Sequence, residues 1–240
     1  IAVNPTEPHI YSNLGIILSK LGKISEALDC FQRALVVAPE DEQSHNNLGM
    51  ELYHQGKITE AIAQFQKALA LQPNYAMAHS NLVMALHYTT DYDPATILLE
   101  HQKFNAQQAK SFQLQIIPRP PRRPGRRLKI GYLSQDLRKH SVAYFIEPIL
   151  AHHDHQHFEV YCYFNNFTSP DAITHRLQHY AEHWFNCVEL SDDELVAKIR
   201  QDEIDILVDL MGHTNKNRIL VFARKPAPVQ VTYLGYSSTT

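Results

Sequence analysis

Ala61-Ile62-Ala63-Gln64-Phe65-Gln66-Lys67-Ala68-Leu69-Ala70-Leu71-Gln72-Pro73 echoes Ala27-Leu28-Asp29-Cys30-Phe31-Gln32-Arg33-Ala34-Leu35-Val36-Val37-Ala38-Pro39, displaced by 34 residues. Ala27, Phe31, Ala34 and Pro39 return in register as Ala61, Phe65, Ala68 and Pro73. Upstream, Asn13-Leu14-Gly15 returns as Asn47-Leu48-Gly49 and again as Asn81-Leu82-Val83. Small alanines suit places where two helices approach closely, and Phe31 and Phe65 are expected to fill the space between units. Gly22 and Gly56 are expected to end the first helix of each pair, where a residue of positive φ is cheapest. Pro39 and Pro73 stop the second helix, because proline cannot continue the hydrogen-bond ladder. The third copy is degenerate, with Val83, Leu99 and Gln102 in place of Gly, Phe and Ala. Its second helix is expected to start at Asp93-Pro94, an N-cap followed by proline at the first helical position.

This period is that of the tetratricopeptide repeat, a pair of antiparallel helices per unit. Residues 1–106 therefore read as about two and a half units of a helical solenoid. Each repeat depends on its neighbours, so Ile1 is expected to continue backwards into further repeats. A degenerate last unit is expected where a solenoid meets a different domain. Such surfaces commonly bind peptides. Asn13, Asn47 and Asn81 recur along one side of the first helices, expected to line the groove. A carboxamide carries a donor and an acceptor, so a column of them can pair with the backbone of an extended peptide of any sequence. The alternative is that each bonds within its own repeat.

Residues 107–127 are assigned as a linker, because Pro118 to Arg127 hold four prolines and five arginines. Proline excludes both helix and central strand there and leaves an extended, semi-rigid connection. The chain's formal charge is −3 and the linker has no interleaved aromatics, so a nucleic-acid partner is not expected. Over the 240 residues, 44% are apolar and 20% charged, which excludes a disordered tail, a collagen-like chain and a coiled coil. The three cysteines are widely spaced and read as reduced, buried side chains rather than a disulfide frame or zinc site. No signal-peptide pattern and no apolar run of bilayer length occurs, so the location expected is the cytoplasm, with no membrane partner.

From Leu128 the period changes. Continuous apolar runs occupy 129–133, 158–164, 204–210 and 229–234, with a weaker one at 184–188. Amphipathic stretches near 142–151, 171–183, 191–202 and 215–224 lie between them, and Ser191 with Glu194 makes a capping box. Strands alternating with helices imply a parallel α/β sheet, Rossmann-like in its winding, whose ligands sit beyond the carboxyl ends of the strands. No G-x-G-x-x-G, G-x-x-x-x-G-K, G-x-S-x-G or H-E-x-x-H pattern occurs, which disfavours dinucleotide, P-loop, serine-hydrolase and zincin chemistry.

Two polar constellations fall beyond strand ends. Asp136 and His140 lie in the loop after the first strand, with Tyr144 opening the next helix. Gly212-His213-Thr214 follows the third major run, and Gly235-Tyr236 with Thr239-Thr240 follows the fourth. Together they are the candidates for a substrate or donor cleft. A third cluster, His152, His153, His155 and His157, lies at the other end of a helix and reads as a solvated turn, not a metal site.

A 34-residue repeat array leading into Ile130-Gly131-Tyr132-Leu133-Ser134 and His140-Ser141-Val142-Ala143-Tyr144-Phe145 resembles glycosyltransferase family 41. These are the intracellular protein O-GlcNAc transferases and SPINDLY-type O-fucosyltransferases. The runs Ile204–Leu210, Gly212-His213-Thr214 and Arg224–Val231 complete the likeness over essentially the whole chain. The resemblance implies a two-lobed glycosyltransferase-B architecture, of which residues 128–240 would be part of the first lobe. It implies an inverting transfer of a sugar, GlcNAc or fucose, from UDP-GlcNAc or GDP-fucose to serine or threonine of protein substrates. Those substrates would be bound through the repeat groove, and no metal or other cofactor is implied. His140 matches the family's active-site histidine, acting as a proton acceptor or an orienting group, and Asn13, Asn47 and Asn81 match its peptide-guiding column. Tyr144 stands where the animal O-GlcNAc transferases carry a second histidine, and Gly-His-Thr replaces their Gly-Tyr-Thr, both leaning toward the SPINDLY-like branch. Since the chain stops after Leu234-Gly235-Tyr236, without the second lobe, it is expected to be an inactive piece of a longer enzyme. The alternative is a non-catalytic peptide-binding scaffold whose α/β part caps the solenoid.

Overall fold

The computed structural model describes residues 7–112, 125–236 and 238. The chain divides into two compact units, residues 1–108 and 109–240. The first holds six helices: α1 (Pro8–Lys20), α2 (Ile24–Val37), α3 (Glu42–His54), α4 (Ile58–Leu71), α5 (Ala76–Leu86) and α6 (Pro94–Phe104). α1 packs on α2, α3 on α4 and α5 on α6, and successive pairs stack through α2 with α3 and α4 with α5. Ala27, Ala34, Ala61 and Ala68 are fully buried. Gly22 and Gly56 follow the first helices with φ of +74° and +77°, the left-handed conformation that glycine adopts at least cost. Asp93 caps α6 by accepting from the Thr96 N–H at 2.7 Å, with Pro94 at the first helical position.

Phe31 and Phe65 lie in one buried cluster with Leu48, Leu52, Leu82 and Leu86 of neighbouring units, and each also faces a glycine of its own repeat. A Cβ at Gly49 would lie 2.6 Å from Phe65 Cε1, and one at Gly15 the same distance from the Phe31 ring. Each ring thus leaves no room for a side chain at the facing glycine of its own repeat. A π-helical turn, Asn105–Ala109, follows α6. Through it Gln108 Nε2 donates to Pro73 O at 2.7 Å. One repeat earlier, the equivalent Pro39 O is met instead by His45 Nε2 at 3.0 Å.

The second unit alternates β1 (Leu128–Ser134), α7 (Ser141–Ala151), β2 (Phe158–Phe164), α8 (Ala172–Gln178), β3 (His183–Asn186), α9 (Asp192–Gln201), β4 (Ile206–Asp209), α10 (Ile219–Ala223) and β5 (Val229–Thr232). All four strand pairings are parallel and the order is β3-β2-β1-β4-β5. The chain winds outward from β1 to β3, then returns to lay β4 on the free side of β1. That reversal makes a topological switch point between β1 and β4, where Leu133 pairs with Asp209. Core residues alternate along β1: Ile130 and Tyr132 pack with Val142, Ile146 and Leu150, whereas Leu133 packs with Leu195, Ile199 and Leu207. Both faces of the sheet are therefore covered.

Several elements are shorter than their amphipathic patterns. α8 stops at Gln178 because the chain must turn to enter β3 at His183. α10 begins only at Ile219, since Asn217 bonds to the Thr214 carbonyl and the Ile219 N–H, and Lys216 has a φ of +55°. β4 is shorter than the run 204–210: the Asp205 carboxylate binds Arg126 and the Lys129 N–H, and that of Asp209 holds the turn that follows. Residues 113–124 of the expected linker lie outside the described residues. Its end is pinned: Arg126 clasps Asp205 with two bonds of 2.7 and 2.6 Å, and Arg127 reaches Glu182 at 2.8 Å. Cys30, Cys162 and Cys187 are free and buried.

Candidate active site at the carboxyl edge of the sheet

β1 ends on Ser134, whose side chain is fully buried and accepts from the Asp136 N–H at 2.9 Å. This tight turn drives Asp136 inward, where only 5% of it is exposed. Burial pushes the Asp136 carboxyl upward, while neighbouring His140, Arg138 and Lys216 pull it back. His140 sits at the N-cap of α7, and its Nδ1 accepts from the Val142 N–H at 3.3 Å. The same Nδ1 lies 3.9 Å from Asp136 Oδ2. One nitrogen thus faces two competing partners, a donor and a carboxylate. Tyr144, one turn further, is 67% exposed and does not enter this network.

β4 ends on Asp209, only 4% exposed, whose carboxylate accepts from the Met211 and Gly212 N–H groups at 2.9 Å each. Burial nevertheless pushes this carboxyl up to about 6. The turn that it holds carries Gly212, His213 and Thr214. Gly212 takes a φ of +55°, and a Cβ there would strike the Tyr236 side chain at 2.2 Å. Gly235 presses still closer, since a Cβ would fall 1.7 Å from the Leu210 carbonyl oxygen. His213 is buried, with its ring 5.4 Å from that of Tyr236, and Thr214 turns its hydroxyl back onto the Met211 carbonyl at 2.8 Å. Four of the expected cleft residues, Gly212, His213, Gly235 and Tyr236, are therefore one packed unit. Thr239 and Thr240 lie outside the described residues.

The loops after β1, β2 and β4 are laced together by side chains that the sequence analysis did not single out. Gln135 Nε2 donates to the Asn215 carbonyl at 2.6 Å, and Asn166 Nδ2 to the Gln135 carbonyl at 2.9 Å. Asn165 Nδ2 reaches the Lys216 carbonyl at 3.2 Å. Each carboxamide replaces water at a main-chain carbonyl and fixes one loop to another. No spacing signal announces them, because their partners are distant in sequence.

The asparagine column is uneven. Asn13 is exposed, and Asn47 is half-buried with an Nδ2 that has no partner among the described residues. Asn81 is buried and donates to Asn46 Oδ1 at 2.8 Å. The histidines near 152–157 stand at the opposite edge, each with its own partner: His152 to the Pro148 carbonyl, His153 to Tyr132, His155 to Glu182 and His157 to Asp154. No helix among the described residues is long and apolar enough to cross a membrane.

Comparison with known proteins agrees with this geometry. The sequence profile of glycosyl transferase family 41 matches residues 88–240, and that of a tetratricopeptide repeat matches residues 13–76. A probable UDP-N-acetylglucosamine–peptide N-acetylglucosaminyltransferase SPINDLY of Solanum lycopersicum is 41% identical over 121 residues, covering 49% of this chain and 13% of that protein. A UDP-N-acetylglucosamine–peptide N-acetylglucosaminyltransferase of Caenorhabditis elegans is 35% identical over 117 residues, 48% of this chain and 10% of its own length. Among solved structures, a mutant O-GlcNAc transferase of Thermobaculum terrenum superposes with a TM-score of 0.88 at 39% identity. That match covers 97% of this chain and 44% of the Thermobaculum chain. With the family profile spanning more than half of its residues, the repeat array in front and the switch-point site behind, this chain belongs to glycosyltransferase family 41.

Proposed function

We propose that this chain is the acceptor-side portion of an inverting protein O-glycosyltransferase, active in a full-length protein that also supplies the donor lobe. The observation that carries the reading is the meeting of the His140 loop and the Gly212–Thr214 turn at the switch point of a family 41 sheet. The repeats would hold the protein substrate, with the exposed Asn13 offering its carboxamide to the substrate backbone. UDP-GlcNAc is the donor proposed, following the names of the relatives. GDP-fucose is the second reading, favoured by Tyr144 and His213 at the two motif positions.

In the transfer, the acceptor oxygen bonds to the anomeric carbon as the bond to the diphosphate oxygen breaks. The diphosphate leaves with the electron pair, and the hydroxyl proton must pass to a base. His140 can contribute in two ways. With Nδ1 accepting from the Val142 N–H, the imidazole proton sits on Nε2 and can donate to a substrate oxygen. To accept the hydroxyl proton at Nε2, the ring must release Val142 and turn a protonated Nδ1 toward Asp136, 3.9 Å away. Asp136 would then hold the tautomer, as a carboxylate does beside any imidazole base.

The test is sugar transfer from UDP-GlcNAc and GDP-fucose by the full-length protein and its His140→Ala variant. If His140 takes the proton, turnover should fall by roughly two to four orders of magnitude, with an acid limb in the pH profile that the variant lacks. Donor affinity should change little. A near-normal rate in the variant would remove His140 from the mechanism. Absence of transfer with either donor, in a protein that binds peptides normally, would favour the scaffold reading.

A further inference from the structure

Beside His140, the loop before α7 and the first turns of α7 and α8 enclose a shallow crevice lined by Arg138, Lys139, His140, Tyr144, Glu147 and Arg176. Its charges are unequally matched. Arg176 is committed to Glu147, with Nη2 on Oε2 at 2.7 Å and Nε on Oε1. Arg138 is about one-third exposed and has one long contact, 3.4 Å from Nη2 to the buried Asp136, while its unpartnered Nε is buried. Lys139 is exposed, and among the described residues no carboxylate pairs with its ammonium; only its backbone N–H is tied, to Asp171 Oδ2 at 2.7 Å. Two cations therefore stand next to the imidazole on a backbone that is already fixed. The exposed Tyr144 ring adds an apolar wall at the same place. The chain as a whole carries a formal charge of −3, so this is a local field rather than a general one.

We infer that the Arg138–Lys139 rim is a subsite for an anion, filled by the acidic side chain of an acceptor polypeptide next to the hydroxyl that reacts. The inference rests on the proposed role of His140 on the acceptor side. A carboxylate suits the rim because the part-exposed Arg138 guanidinium, held by a single long contact, and the exposed Lys139 ammonium can both donate to it. The aliphatic stem of a Glu or Asp would lie along Tyr144. The other source of an anion at this place is the diphosphate of the donor.

The test uses the full-length protein and two peptides that differ only by Asp or Asn beside the acceptor serine. Both kcat/KM and direct binding, read by fluorescence anisotropy, are measured for each. The wild type should prefer the Asp peptide by about fivefold, the scale of two solvent-facing charge contacts, and lose the preference at high salt. Lys139→Glu should abolish or invert the ratio, and Arg138→Gln should reduce it, with circular dichroism unchanged. A wild-type ratio near one, or a ratio that Lys139→Glu leaves intact, overturns the inference. A rise in donor KM with the peptide ratio unchanged assigns the rim to the diphosphate and overturns the acceptor as its occupant. Failure of sugar transfer altogether would count against the enzyme reading, while the anisotropy ratio would still decide the subsite.

Discussion

The two units hold themselves together with polar contacts of different reach. In the repeats, side chains link one first helix to the next at nearly the same place in the unit. Ser12 meets Ser44, Ser19 donates to Glu51 Oε2 at 2.6 Å, and Asn81 donates to Asn46 at 2.8 Å, with sequence separations of 32, 32 and 35 residues. At the carboxyl edge of the sheet the links are irregular, from 31 residues between Asn166 and Gln135 upward. Gln135 reaches Asn215 across 80 residues, and Asn165 reaches Lys216 across 51. A solenoid repeats one solution, so a defect there is felt mainly by neighbouring helices. The sheet edge is solved once, by many parts that depend on each other, and a defect there should disturb the whole candidate site.

The sharpest way to break that contrast is Gly235→Ala. A Cβ would collide with main-chain atoms at 1.7 and 2.2 Å, which no rotamer can relieve. Thermal unfolding should show a loss of about 4 kcal/mol or more, together with displacement of the His213–Tyr236 contact. A variant within about 1 kcal/mol of wild type would show that this edge yields more easily than its packing implies.

Phe65→Ala tests the repeats. The ring is fully buried against Gly49, and removing it should cost about 4 kcal/mol through lost transfer energy and the cavity left behind. Loss of helical circular dichroism should occur at lower temperature, while the resonances of residues around His140 keep their positions. Shifts at both places would contradict a locally confined defect.

Asp209 supplies the pH test. Its carboxyl is raised above the ordinary value, so the folded state favours the protonated form. The stabilisation from this group is complete at low pH and is lost as pH rises through about 6. Asp209→Asn cannot titrate. Its stability relative to wild type should therefore improve between pH 4 and 7.5, by about 3 kcal/mol at the scale of 1.4 kcal/mol per pKa unit. The variant would still carry a constant penalty for offering one acceptor where the carboxylate offers two. Urea unfolding at both pH values measures the change, and parallel curves would sink the assignment.

How much of this was legible depends on whether a contact obeys a period. The repeats are, because each position is stated more than once. The strands are also legible as apolar runs, and the Ser191–Glu194 capping box forms both of its bonds. Asp209 was hidden inside the run 204–210, where an acid reads as a flaw in a strand rather than as the anchor of the following turn. Gln135, Asn165 and Asn166 look like ordinary loop residues, since nothing in one sequence pairs a carboxamide with a carbonyl 51 or 80 residues away. Phe31 and Phe65 were found by period, but a period tells which residues are equivalent and not that each ring also presses on a glycine of its own repeat.

The same limit applies to the asparagine column, and it yields the smallest effect. Asn13, Asn47 and Asn81 are equivalent by period, but their surroundings are not. The residue before each is Ser12, Asn46 and Ser80 in turn, and only Asn46 is long enough to offer an amide oxygen to the next repeat. Asn81 takes that offer and is buried by it. Asn81→Ala should therefore leave the buried Asn46 oxygen without its donor and cost about 1.5 kcal/mol of stability. Asn47→Ala removes an amide with no protein partner among the described residues, so stability should stay within about 0.5 kcal/mol of wild type. If the column guides peptides, Asn47→Ala should instead weaken the binding of unrelated extended peptides alike. Urea unfolding and peptide titration on the same pair of variants separate the two roles. Equal stability losses for Asn47 and Asn81 would mean that the repeat treats them as equivalent after all, and would remove the reason to assign them different roles.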